Sequence, residues 1–241
     1  MCIFAVHNIQ VLNKLLKKNK ANMKKTIVLL LSVAVLAACN NAKNSNQAAT
    51  GEAQEASAAA GESFKVDSVS HIGWHATHKG GVEPHDGTIA VSEGSVTVNS
   101  GKVTGGAFTF DVANIKDTDI QDVEKRGQLE GHLKSPDFFD TAKFPTAKFE
   151  ITKVEPFDAA KVTSDLPGAT DIVSGNLTFK DSTLNVTFPA KIVVTEAGAQ
   201  IDAKFNIDRT AWGLNYKGPN NPQDWMISKE VGLTIAVKAA K

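Results

Sequence analysis

Apolar side chains recur at every second position along much of the chain. Ile89/Val91, Val96/Val98, Phe108/Phe110/Val112, Phe149/Ile151, Leu177/Phe179, Leu184/Val186/Phe188, Ile201/Ala203/Phe205/Ile207 and Val231/Leu233/Ile235/Val237 each set a hydrophobic edge, with mostly Thr, Lys, Ser, Asp, Glu or small residues between. Side chains alternate across a β-strand, so the pattern predicts strands with one dry face and one wet face. Asn99-Ser100-Gly101, Leu166-Pro167-Gly168 and Glu196-Ala197-Gly198 are among the turn clusters that separate these runs. About eight antiparallel strands are expected. Asp119 to Lys134 breaks the alternation, and there Ile120, Val123, Leu129 and Leu133 fit a short amphipathic helix. The expected fold is therefore all-β, an eight-stranded antiparallel barrel with one short helix, because closure leaves no exposed sheet edge. A two-sheet sandwich is the alternative.

The first 62 residues have another character. Met23-Lys24-Lys25 is a short basic start, and Thr26 to Ala38 an apolar run of about 13 residues. That run is too short for a spanning helix, which needs roughly 20 residues. Residues 1–38 are read as a signal peptide, with 1–22 an over-extended start. Leu36-Ala37-Ala38-Cys39 resembles the bacterial lipobox, which implies that Cys39 carries a diacylglycerol, becomes the mature amino terminus and is acylated. Several acyl chains give a durable anchor where one is marginal. Residues 40–62 contain no Ile, Leu, Val or aromatic residue, and a flexible tether is expected there. The barrel domain is placed at 63–241.

Removing residues 1–38 takes away six lysines and no acid, so a chain with 26 basic and 26 acidic residues becomes a mature protein of charge −6. Basic nucleic-acid binding is disfavoured. Cys39 is the one cysteine left, which excludes an intramolecular disulfide, a multi-cysteine zinc site and a CxxC redox pair. No Gly-x-Ser-x-Gly, P-loop, dinucleotide fingerprint or His-Glu-x-x-His occurs. No catalytic residue and no cofactor is therefore expected. His71, His75, His78 and His85 invite a metal reading. His71 and His75, however, lie about 13 Å apart along one strand and are expected to face solvent, whereas Ile72 and Trp74 point inward. His78 and His85 flank the Lys79-Gly80-Gly81 turn and can approach each other, but a loop hydrogen bond is the expected role of His85, and no metal site is assigned. Asn176-Leu177-Thr178 and Asn185-Val186-Thr187 fit the glycosylation sequon but fall in predicted strands.

An eight-stranded barrel is just wide enough either to be filled by side chains or to hold one small ligand. Trp74, Phe108, Phe110, Phe149, Phe179, Phe188, Ala203 and Phe205 are the inward-facing candidates. Ala203, small and mid-strand, is where a bulky substitution should obstruct the lumen. Arg209 ends a strand beside Trp212, placed either to cap carbonyls or to hold a polar head group.

The run from Gly131 to Phe149, with Ser135-Pro136-Asp137-Phe138-Phe139-Asp140 at its centre, resembles the signature of the YceI-like family. Ser174 to Lys180, Phe205 to Leu214 and the strand from Glu230 match it further, in order. The resemblance implies a lipocalin-like extended barrel holding a polyisoprenoid or another long amphiphile such as an isoprenoid quinone or fatty-acid-like lipid. It also implies a periplasmic or secreted location. With the lipobox, a lipid-anchored periplasmic carrier is expected, its ligand touching the inward residues above with Arg209 and Trp212. A structural or stress-associated surface lipoprotein with a filled barrel is the alternative. Asn40, not Asp, follows Cys39, which favours the outer membrane. One departure is Asp181, where the family usually has Gly in a hairpin, so that turn is expected to differ without loss of the barrel.

Overall fold

The structure is a computed structural model that describes residues 47–58, 60–79, 82–218 and 227–241. The signal-peptide and Cys39 readings lie outside the described residues. The strands are β1 (Ala49–Glu52), β2 (Glu62–Val66), β3 (His71–His78), β4 (Glu83–Asn99), β5 (Lys102–Asp111), β6 (Lys116–Asp117), β7 (Thr146–Pro156), β8 (Asp171–Phe179), β9 (Ser182–Val194), β10 (Gly198–Asp208) and β11 (Glu230–Ala240); the helix α1 is Val123–Lys134. β2 and β3 act as one interrupted strand, since both lie between β4 and β11. From there the order is β4, β5, β7, β8, β9, β10, β11, and the ring closes with every neighbour antiparallel. This is the expected eight-stranded barrel.

Its interior follows the alternation. On β10, Ala199, Ile201, Ala203, Phe205 and Ile207 are buried, while Gln200, Asp202, Lys204 and Asn206 between them are exposed or half-buried. The Ile89/Val91 and Val96/Val98 runs belong to one strand. The register between β4 and β5 slips between Val91 and Glu93, and this bulge moves the inward face from odd to even residues. The eighth strand is the β2–β3 pair, which carries Phe64, Ile72 and Trp74 inward. Gly175 leaves room for a ring: a Cβ there would overlap Phe149. The hairpin at the Asp181 departure is a two-residue turn between Phe179 and Ser182, with Lys180 rather than Asp181 at positive φ.

Two expectations need correction. The helix begins at Val123, with Asp122 capping the Glu124 and Lys125 amides. No residue of it is fully buried, and Val123 is 72% exposed. It rests against the barrel only through half-buried residues such as Leu129 and Leu133. Second, the tether is not free coil over 47–58. β9 and β10 pair only through Ala190–Val194 and Ala199–Ala203, then diverge, and β1 fills the gap. It pairs with Leu184–Thr187 of β9, while the Ala48 amide donates to Asn206 O at 2.9 Å. The chain then crosses the outside of the barrel. Gln54 meets Asn176, and Ser57 donates from N to Ile151 O (3.0 Å) and from Oγ to Thr104 O (2.9 Å). Its polar composition suits that path, because backbone and amide hydrogen bonds hold the strap in place of buried apolar surface.

Candidate functional site

The barrel interior divides into two halves. In one, Phe188 and Phe205 stack with ring centres 4.0 Å apart, Phe149 lies 5.9 Å from Phe188, and Phe108 lies 6.3 Å from Phe149. Only about 40 Å³ remains open among these rings and Phe110. Phe108, Phe110, Phe149, Phe188 and Phe205, expected to touch a ligand, are therefore core packing here. Ala203 is also buried among packed strands, paired with Ile235 on one side and Ala190 on the other, and it does not line the small open space between the rings. Alternation identifies the inward face but not whether the rings that meet there interlock.

The other half holds a cavity of about 290 Å³. Trp74, Ala76, Ile89, Phe179, Ile207 and Leu233 form its walls, and Leu129, His132 and Leu133 of α1 cover it together with Phe138 and Phe139. Trp74 and Phe179 are thus sequence candidates that do reach the cavity. Phe138 and Phe139 come from the family signature. The segment after α1 folds back through hydrogen bonds from the Phe138, Phe139 and Asp140 amides to the carbonyls of Ser135, Leu133 and Ser135. Asp140 sits at φ 49° to complete the turn, and Lys180 Nζ donates to Phe138 O at 3.2 Å. The signature is visible in the sequence as a motif; its role as the roof is visible only in the fold.

Arg209 lines the cavity and turns three of its donors to backbone carbonyls. Its Nε and Nη2 donate to the carbonyls of Ser228 (2.9 Å) and Ile227 (3.1 Å), and Nη1 donates to Leu214 O. It ties the segment after the barrel turn to the start of β11, so the carbonyl-capping role is the one observed. Trp212 ends a 3-10 turn closed by Gly213 at φ 75°. Its Nε1 donates to Leu177 O at 2.8 Å, and its ring meets Phe179 edge-on at 5.9 Å. It backs the cavity wall from behind.

Polar groups gather at the mouth. His78 and His85 stack 5.3 Å apart, and His132 packs edge-on against Tyr216 at 4.8 Å. Burial holds the His78 imidazole below its ordinary pKa despite Glu83 at 3.3 Å. His85 Nδ1 pairs with Asp119 Oδ2 at 3.1 Å, the expected loop hydrogen bond, and His71 and His75 are exposed. Trp74 lines the cavity, but its indole N–H is buried away from the open space and has no acceptor among the described residues. Its ring lies against Gly87, where a Cβ would overlap it. The two sequon asparagines, Asn176 and Asn185, are buried with their amides in hydrogen bonds beneath the strap.

A closed antiparallel barrel with an apolar cavity under one end is the architecture of the lipocalin-like class. The YceI-like domain model matches residues 64–239, and the chain belongs to that family. A prokaryotic membrane lipoprotein lipid attachment site matches residues 23–40, so this is a lipid-anchored bacterial protein. The UPF0312 protein plu2095 of Photorhabdus laumondii is 26% identical over 151 residues, covering 56% of this chain and 69% of its own length. Among solved structures, Burkholderia cenocepacia BcnA superposes with a TM-score of 0.53 at 21% identity, over 72% of this chain and all of BcnA. A polyisoprenoid binding domain from Saccharophagus degradans gives 0.48 at 14% identity, over 73% of this chain and 97% of that domain.

Proposed function

We propose that this protein is a periplasmic carrier that holds the tail of an isoprenoid-, quinone- or fatty-acid-like amphiphile under α1 and its polar end at the mouth. The observation that carries this reading is the 290 Å³ apolar cavity in a barrel whose other half is solid. At roughly 30 Å³ per carbon the cavity takes about ten carbons. At about 0.8 kcal/mol per CH₂ their burial contributes on the order of 8 kcal/mol before association costs. A tail longer than that extends past the mouth or needs the aromatic half to repack. We read the protein as a binder and not an enzyme, because apolar contact alone suffices for this task and the mouth histidines are engaged with carboxylates or aromatic rings. Asn40 after Cys39 supports an outer-membrane anchor.

Native mass spectrometry of the purified lipoprotein in detergent, followed by organic extraction and a comparison of the extract with the bulk membrane lipids, tests this. One enriched amphiphile per chain is expected. A barrel that carries none, and binds none of a panel of isoprenoids, quinones and fatty acids, would be a structural lipoprotein instead.

A further inference from the structure

β6 is only two residues long, and it pairs with Gly87–Thr88 of β4. That pairing brings Asp117 and Asp119 to His85, over thirty residues earlier in the chain. His85 Nδ1 lies 3.1 Å from Asp119 Oδ2 and 4.0 Å from Asp117 Oδ2, and the three ligand atoms all fall within 4.8 Å of one another. Donors bound tetrahedrally at 2.0–2.2 Å to one ion stand roughly 3.3–3.6 Å apart. Side-chain shifts of about an ångström or less therefore bring these three onto a common centre.

A second observation points to an occupant. The Asp117 side chain is wholly buried, at 0% exposure. Its Oδ1 accepts the Ile120 amide at 2.9 Å, but its Oδ2 has no hydrogen-bond donor among the described residues and faces the cluster. A buried carboxylate oxygen left unsatisfied is costly, and an ion removes that cost. The ligand-bearing backbone is already fixed. Asp119 Oδ1 accepts the Asp86 amide (2.8 Å), the Thr118 amide donates to Asp86 O (2.9 Å), and Glu130 Oε1 of α1 accepts the Asp117 amide (3.1 Å).

We propose that His85, Asp117 and Asp119 bind one divalent transition-metal ion, with zinc the best match for one imidazole and two carboxylates. His85 also lines the cavity, so the ion sits at its rim and ties β6 and the roof helix to β4. The other occupant of such a pair is a proton shared between the two aspartates, and the experiment separates the two.

The mature lipoprotein in detergent is stripped with a chelator and titrated calorimetrically with Zn²⁺, and its thermal unfolding is followed with and without the ion. One equivalent per chain and a higher Tm with zinc are expected, with affinity at least tenfold weaker in Asp117→Asn and His85→Ala. Asp117→Asn keeps the acceptor for Ile120 and resembles the protonated acid, so it should fold. Co²⁺ added to the wild type gives a check that needs no variant, namely a saturable visible absorption at one equivalent. Absence of stoichiometric zinc or cobalt binding, or zinc binding undiminished in Asp117→Asn, overturns the proposal and leaves the shared proton or exposed surface histidines as the explanation.

Discussion

Asn176 and Gln54 clasp each other through two hydrogen bonds: Asn176 Nδ2 donates to Gln54 O at 2.6 Å, and the Gln54 amide donates to Asn176 Oδ1 at 3.0 Å. The same Oδ1 accepts from Asn185 Nδ2 at 3.1 Å. A single amide thus joins the strap to β8 and β9. Asn176→Ala should release residues 47–58 to limited proteolysis and lower stability by about 1–3 kcal/mol, because it also leaves one N–H of the buried Asn185 amide without an acceptor, the other being held by Thr152 Oγ1. A strap no more sensitive to protease in the variant than in the wild type would contradict this.

The two interior halves should answer truncation differently. Phe205→Ala removes a ring stacked on Phe188 in the solid half and should cost about 3–5 kcal/mol in denaturant melts. Phe179→Ala, at a cavity wall that already lacks partner atoms on one side, should cost clearly less. Equal losses would show that the cavity is packed in solution.

Obstruction should be equally selective. Ala76→Trp places an indole at a half-buried cavity position and should fold with a modestly lower Tm while losing the extractable amphiphile. Ala203→Trp has no space to enter, and overpacking should destabilise it by roughly 1–3 kcal/mol or more. A stable Ala203→Trp variant that still carries lipid would mean the solid half opens.

Asp208 couples stability to pH. Burial opposes its ionisation, but Thr210 Oγ1 (2.6 Å) and N (3.0 Å) donate to it and Lys229 Nζ lies 3.3 Å away; these outweigh burial and hold its pKa below the ordinary value. The folded state therefore prefers the ionised form. Its stabilisation is complete above the pKa of aspartate in the unfolded chain and is lost as pH falls through the lower folded-state value. Asp208→Asn should flatten the acid limb of a Tm-against-pH curve; an unchanged limb would assign the acid loss to other carboxylates.

The lipid attachment site makes Cys39 a single point of control. Cys39→Ser should abolish membrane fractionation and leave the signal uncleaved or misprocessed. Metabolic labelling with a fatty acid that still marked the Ser variant would refute attachment at Cys39.

Much of the barrel was legible because alternation records which side of each strand is dry. Ile201, Ala203, Phe205 and Ile207 all point where their spacing says. The β4 bulge split one strand into two runs, since an extra residue resets the alternation while hydrogen bonding continues. Two features left no apolar trace. The strap is held by backbone groups and by Asn176, and these interactions do not show in hydropathy. The His85–Asp117–Asp119 cluster depends on a two-residue pairing of β6 with β4, too short to register as a periodic pattern. The sequence puts Arg209 beside Trp212, but only the loop geometry shows its donors reaching three carbonyls.

The strap also sets the length of the leash. Seven residues separate Cys39 from Gln47, the first described residue of the strap. At no more than about 3.3–3.6 Å per residue the barrel cannot drift beyond about 30 Å from its acylated end. With the strap undone back to Glu62, the same anchor would reach roughly three times as far. Because volume grows as the cube of reach, docking β1 confines the barrel to a space on the order of twenty to thirty times smaller. The barrel then stays within a few nanometres of the bilayer that holds its anchor.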